Sequence, residues 1–209
     1  MTPATESMMA RATRLPIITT LLAVLAIDLQ FLPTSAERLG LECGFATALR
    51  AWQLLTCQLT HWSWSHAVWD VLALAIFGGV CEVLDRRRFA VCLGAGALAI
   101  PVVVRLTHPD LSRYAGLSGL DMALVALLIT MLIAERFGEA GIVGRAALLC
   151  AAALAVGKVG MELASGTTVL FDAATSGFAP VPIAHAAGVV VGVGIGLLVP
   201  PSCPRLPPF

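Results

Sequence analysis

The sequence predicts an all-α membrane protein, a single bundle of six transmembrane helices with an interfacial first outer loop, and three observations carry that reading. Hydrophobic residues make up 58% of the 209 and charged residues 12%, with a mean hydropathy of +0.90, a balance foreign to soluble domains. Six apolar stretches, at about 15–32, 66–84, 89–106, 116–134, 145–164 and 182–199, approach the roughly 20 residues a helix needs to cross a bilayer. Together they take up over half of the chain. Residues 15–200 therefore read as one transmembrane domain, between a polar, disordered cytoplasmic segment at 1–14 and a Pro-rich cytoplasmic tail at 201–209. The formal net charge is zero, which argues against a nucleic-acid partner and leaves the lipid bilayer as the first one.

Arginine placement orients the bundle. One side carries Arg11, Arg14, Arg86, Arg87, Arg88, Arg136, Arg145 and Arg205, the other Arg38, Arg50, Arg105 and Arg113, so both termini are expected in the cytoplasm. The first stretch also admits a signal-peptide reading, since Arg11 and Arg14 precede it and Thr34-Ser35-Ala36 is small enough for cleavage. Its length, with Asp28 and Gln30 near the end, favours a spanning helix. The loop that follows holds Trp52, Leu54, Leu55, Trp62 and Trp64, too apolar to float in water, and predicts short helices at the headgroup level.

The second stretch carries His66 and Asp70 near its outer end, and Gly78, Gly79 and Glu82 near its inner end. The third runs out into Arg105-Leu106-Thr107-His108-Pro109-Asp110. The fourth opens with Tyr114-Ala115-Gly116-Leu117-Ser118-Gly119-Leu120-Asp121-Met122, a small-residue turn with an uncrowded serine. The fifth holds Lys158 and Glu162 at i,i+4, which most simply neutralise each other, or of which one reaches Asp121. The loop after it, together with its last turn (162–179), is a candidate gate because it is rich in small residues. The sixth begins after Pro180 and Pro182, and places Gly188, Gly192 and Gly196 every four residues behind His185.

Ionisable groups inside membrane helices cost several kcal/mol and usually mark function. His66, Asp70, Ser118, Asp121 and His185 all fall within about two turns of an outer helix end, at similar depth. The glycine stripe lets the sixth helix approach a neighbour backbone to backbone. If that neighbour is the fourth helix, with Gly116 and Gly119 accepting the contact, His185 meets Ser118. The imidazole could then take the hydroxyl proton and return it to a leaving amine. The rival is a glycine zipper around a satisfied core histidine. His66 and Asp70 share one helix face and suit an oxyanion site, assisted by N–H groups at the start of the fourth helix. The same pair could serve a metal or proton site, but no third ligand follows at regular spacing, and neither a metal nor another cofactor is expected. Cys43, Cys57, Cys81, Cys92, Cys150 and Cys203 show no metal spacing; Cys43 and Cys57 share an outer loop and could form a disulfide, though small-residue packing explains them as well.

These residues also carry a resemblance. Trp52 followed by His61 and His66, then Gly78-Gly79-Val80-Cys81-Glu82, then Gly116-Leu117-Ser118-Gly119, then Ala184-His185-Ala186-Ala187-Gly188 are similar in order and placement to rhomboid intramembrane serine proteases of the six-helix bacterial form. The similarity runs from about residue 52 to 196. It implies Ser118 as nucleophile and His185 as general base without a third acid, His66 and the Ser118 N–H as oxyanion donors, and His61 and Glu82 as structural hydrogen-bonding residues. Trp52 would belong to the interfacial loop. Gly188 and Gly192 would pack the sixth helix. The compact chain looks most like the rhombosortase subgroup, which processes proteins bearing a C-terminal Gly-Gly-type sorting helix. A bacterial inner membrane, with the site open to the periplasm, is the implied location. Two positions depart from the family: Asp70 stands where Asn is usual, and Gln53 where Arg usually follows the tryptophan. Asp70 either carries a proton or orients His66.

The expected activity is cleavage of a single-pass membrane substrate near the outer face by a Ser–His dyad. Two other classes stay open: an inactive relative that binds membrane clients, and a small transporter using the buried ionisable groups. The residues name neither the substrate nor the oligomeric state.

Overall fold

A computed structural model describes residues 15–42, 50–167 and 180–202. The N-terminal segment 1–14, Cys43, most of the candidate gate (168–179) and the tail from residue 203 lie outside the described residues. The elements in chain order are α1 (Ile17–Gln30), α2 (Ser35–Leu39), β1 (Leu41–Glu42), α3 (Gln53–Thr56), α4 (Trp64–Leu84), α5 (Arg86–Thr107), β2 (Arg113–Tyr114), α6 (Ser118–Arg136), α7 (Ile142–Ser165) and α8 (Pro182–Leu198). The chain is mostly helical. Among the described residues α4, α5, α6 and α7 are long and apolar enough to cross a membrane, whereas the apolar helices α1 and α8 are shorter. Prolines set that difference. Pro16 precedes α1 and Pro33 follows it; Pro182 opens α8 and Pro200-Pro201 follow it, where continued helix would clash. Large apolar side chains face outward on α1, α4, α5, α7 and α8, among them Leu21, Trp69, Leu98, Ile142, Leu154 and Leu198. A surface of that kind needs lipid, and the chain is an integral membrane protein.

The loop between α1 and α4 is built as short pieces. Gln53 is buried and donates from Nε2 to Glu42 Oε1 (3.0 Å), tying α3 to β1, while Trp52 beside it is half exposed. Strand β1 pairs antiparallel with β2, Leu41 opposite Tyr114 and Glu42 opposite Arg113. The Gly116 N–H donates to the Cys57 carbonyl at 2.9 Å, and Arg105 donates to the carbonyls of Leu111 and Leu41. These bonds fasten the segment before Ser118 to the first loop from two sides. Cys57 itself is a free, buried thiol, its pKa pushed up to about 12 by burial, and it packs as a small apolar residue.

Helix α4 starts at Ser63, whose side chain accepts from the His66 N–H (3.2 Å), an N-cap that sets the turn bearing His66. At the far end Glu82 is wholly buried. Its carboxylate accepts from the N–H groups of Ile18 (3.1 Å) and Thr19 (2.8 Å) and from the Thr19 hydroxyl (2.9 Å). A carboxylate on the orphan N–H groups of a helix start satisfies donors that lipid cannot, so Glu82 docks α1. Gly78 lies where a methyl would press on Leu74, Leu124 and Thr19; Gly79 has ordinary room.

Between α4 and α5, Asp85 caps α5 through the Arg88 N–H (3.1 Å) and accepts from the Ser202 N–H (2.9 Å) and hydroxyl (2.6 Å). Arg88 pairs with Glu135 and donates to the Val199 carbonyl (2.8 Å). This end of the bundle is closed by charge-assisted bonds.

The closest helix pair is α6 with α8. A Cβ at Gly188 would collide with the Gly119 carbonyl oxygen, one at Gly192 with the Ala123 carbonyl oxygen, and one at Gly196 would lie 2.7 Å from Thr130 Cγ2. From the other side, a Cβ at Gly119 would lie 3.2 Å from the Ala184 carbonyl oxygen. The glycine stripe does face the serine helix. Gly194 points away, with nothing within 4 Å.

Gly188→Val and Gly192→Val should each destabilise the bundle by about 1–3 kcal/mol or more through overpacking, while Gly194→Val changes little; thermal unfolding in detergent micelles reads the difference. Burial raises the Asp85 carboxyl pKa, but the Ser202 bonds, the Arg88 N–H and the Arg88 charge outweigh it and hold that carboxyl below its ordinary value. Its contribution is therefore complete above the ordinary carboxylate range and fades as pH falls through the depressed folded value. Asp85→Asn should be less stable than the wild type near neutral pH, with the gap closing in acid in parallel melts; a gap that stays constant across pH would refute the assignment.

Candidate active site

A cavity of about 670 Å³ opens between α4, α6, α7 and the start of α8. One end is polar and holds His66, Asp70, Ser118, Asp121, Lys158, Glu162 and His185. The remainder is an apolar trough along Ile76, Phe77, Leu128, Leu132, Leu148 and Leu154. Polar groups of α4, α6 and α8, the three helices expected to present them, thus line a shared space.

Ser118 is the first residue of α6. The N-cap position is Leu117, buried and in the αR region, and no side chain caps the helix start. Gly116 before it has φ +132°, a conformation L side chains rarely adopt, and a Cβ there would lie 2.8 Å from His66 Cε1. Glycine at 116 thus lets the backbone leading to Ser118 lie flat on the His66 ring. This is the sense in which Gly116 and Leu117 support the site.

His66 Nε2 lies 3.2 Å from Asp70 Oδ2, and His61 Nε2 lies 3.3 Å from the same oxygen, both at ion-pair range without hydrogen-bond angles. The two imidazoles meet edge to face, centroids 5.1 Å apart. One carboxylate oxygen thus faces both rings. His61 precedes the Ser63 cap, so helical spacing does not govern its reach. Among the described residues no group of three or more His, Cys, Asp or Glu side chains is arranged to hold a metal ion.

His185 is buried on the first turn of α8. It follows Ala184, whose carbonyl oxygen packs on Gly119, the residue after Ser118. No hydrogen bond joins the Ser118 hydroxyl to the imidazole; apo sites often hold such pairs long. The bonds His185 does make lie on its other nitrogen. Nδ1 is 2.6 Å from Glu162 Oε2, and Lys158 Nζ is 2.7 Å from Glu162 Oε1 and 3.5 Å from Nδ1. The Lys158–Glu162 pair expected from spacing is present, yet it is no isolated pair, and it reaches His185 rather than Asp121. Family resemblance implied no third acid; here a wholly buried carboxylate lies on the histidine. The sequence offered one signal for it, an acid three residues from the end of its helix, opposite a histidine three residues into the next. Asp121, one turn beyond Ser118, is buried, and its Oδ1 has no hydrogen-bond partner.

Trp52, Gly78, Gly79 and Glu82 do not line the cavity. Their work is in the loop and at the α1 contact, while Gly119, Gly188 and Gly192 make the helix crossing. No curated protein matches the chain. The model of the Rhomboid domain matches residues 48–202, which reaches from the loop tryptophan past the glycine stripe of α8. With well over half of its length matched, the chain belongs to the rhomboid family.

Proposed function

We propose that this rhomboid is an intramembrane serine endopeptidase with Ser118 as nucleophile and His185 as base. The observation carrying the reading is that both side chains line one cavity beside a glycine-mediated helix crossing. The Ser118 hydroxyl gives its proton to His185 Nε2 as Oγ bonds to the scissile carbonyl carbon. The carbonyl oxygen becomes an oxyanion, received by the uncapped N–H groups at the start of α6 and by His66. Collapse breaks the C–N bond, and the amine leaves with the proton from His185. Water then repeats the sequence on the acyl-enzyme, with Ser118 as leaving group. Asp70 holds His66 in place.

The apolar trough suits the side chains of a single-pass substrate helix, with its scissile bond at the polar end. Substrates with a C-terminal Gly-Gly-type sorting helix, the class of rhombosortases, are the ones we favour. In this reading residues 15–200 form one domain in which α1 and α8 also span, six spans in all, the two short helices meeting a locally thin bilayer. Both termini are cytoplasmic, and the site opens to the periplasm of a bacterial inner membrane. α2 and α3 lie at the interface. A client-binding role without cleavage is the second reading, favoured by the missing Ser118–His185 hydrogen bond and by Asp70.

Membranes holding the wild-type protein should be labelled by a fluorophosphonate. Labelling should vanish in Ser118→Ala and His185→Ala, and slow by roughly 10²–10³-fold in His66→Ala. Folded wild-type protein that takes no label would remove the enzyme reading and leave the client-binding one.

A further inference from the structure

Glu162 is the feature of the cavity that the dyad leaves unused. It is wholly buried, one oxygen 2.6 Å from His185 Nδ1 and the other 2.7 Å from Lys158 Nζ. Two forms of neutral imidazole compete at such a contact. A bare Nδ1 at 2.6 Å from a carboxylate oxygen would set two lone pairs against each other. Nδ1–H, by contrast, donates to the carboxylate and leaves Nε2 bare. Only the second form can accept a proton from a serine through Nε2. Lys158 supplies the counter-charge that a buried carboxylate needs. The other ionisable and hydroxyl groups lining the cavity are Ser118 and Asp121 on α6, His66 and Asp70 on α4, and Arg113 and Tyr114 on β2. The bonded contacts of Nδ1 are with Glu162 and Lys158.

The carrier of Glu162 matters as much as its contact. Of the 24 residues in α7, only Val159 and Glu162 are buried; the rest of the helix is open or half open. Val159 and Glu162 are three apart and share one face. The face that seats α7 on the bundle is therefore the face that brings the carboxylate to the histidine.

We propose that Glu162 is a positioning residue for His185, delivered by α7, so that the base is set in its working tautomer only while α7 lies against the bundle. The inference rests on the serine-hydrolase reading and deepens it. Loosening α7 and removing its carboxylate are then one perturbation made in two ways.

The test uses the full chain in detergent micelles, the rate of fluorophosphonate labelling, and ¹⁵N spectra of histidine-labelled protein, in which His185→Ala identifies the His185 signals. The wild type should carry its proton on Nδ1. Glu162→Gln should give mixed tautomers and acylate about a hundredfold or more slowly at unchanged probe affinity, with Glu162→Asp recovering part of the rate. Val159→Ala should slow acylation several-fold in the wild type and add nothing in the Glu162→Gln background. If Glu162→Gln does not fold, Glu162→Asp and Val159→Ala decide through the same spectra: each should shift His185 toward mixed tautomers. Wild-type labelling with an unaltered Glu162→Gln rate, a proton on Nε2, spectra unmoved in Glu162→Asp and Val159→Ala, or losses that multiply in the double variant each overturn this role while the hydrolase stands. A wild type that takes no label overturns both.

Discussion

Helices α6 and α8 meet with almost no side chain between them, and the rest of the polar end depends on that approach. In lipid there is no hydrophobic force to press two apolar helices together, so contact relies on close van der Waals packing. The packing here is backbone against backbone, with Gly188 over the Gly119 carbonyl and Gly192 over that of Ala123. The requirement is one of volume and not of torsion, because both glycines have ordinary helical backbone. It also sets a register. Fixing 188 against 119 brings 184 against 119 as well, and the two polar residues beside those positions are His185 and Ser118.

Register along two helices does not orient side chains, and separate fastenings supply the rest. The β1–β2 pair and the Gly116–Cys57 bond hold the segment entering α6, whose left-handed Gly116 lies on the His66 ring. The Ser63 cap fixes where α4 begins and so where His66 and Asp70 point. At the opposite end Glu82, Asp85 and Arg88 each join segments far apart in sequence. The bundle is thus tied at both ends by polar bonds, while its middle is apolar contact among Ile100, Leu124, Leu127 and Met131. That division suits a protein whose surroundings are dry in the middle and wet at both faces.

Much of this was legible in the chain. The glycine period pointed to one face of α8, the clustered polar residues to one depth, and the Lys158–Glu162 spacing to an ion pair. The ends of α1 were less so, because hydropathy runs from Leu15 through Pro16 to Leu32 while the helix is Ile17–Gln30; α8 ends within a residue of its apolar stretch. The position of His61 was hidden for a related reason: it stands before an N-cap, where helical spacing says nothing of reach. Gln53 looked like a departure from a family pattern, and its bond to Glu42 is a tertiary fact. The contact of Glu162 with His185 was illegible for the same reason, since periodicity describes one helix and not which neighbour it faces.

That last contact bears on why the least embedded long helix carries a wholly buried acid. A carboxylate in a low-dielectric site is costly unless it is paired and hydrogen-bonded. Lys158 is partly exposed and sits on α7 with Glu162, so it would accompany the acid wherever the helix went. His185 belongs to α8, held by glycine contacts that leave little room to move. The Lys158 pair lies within α7, whereas the His185 bond joins α7 to α8 and so is made when α7 is seated. The free energy of that bond therefore favours the seated position, and by linkage the seated position favours the tautomer that leaves Nε2 bare. Neither effect needs a change in shape elsewhere. Two residues of α7 are buried, and the residue that matters chemically is one of the two.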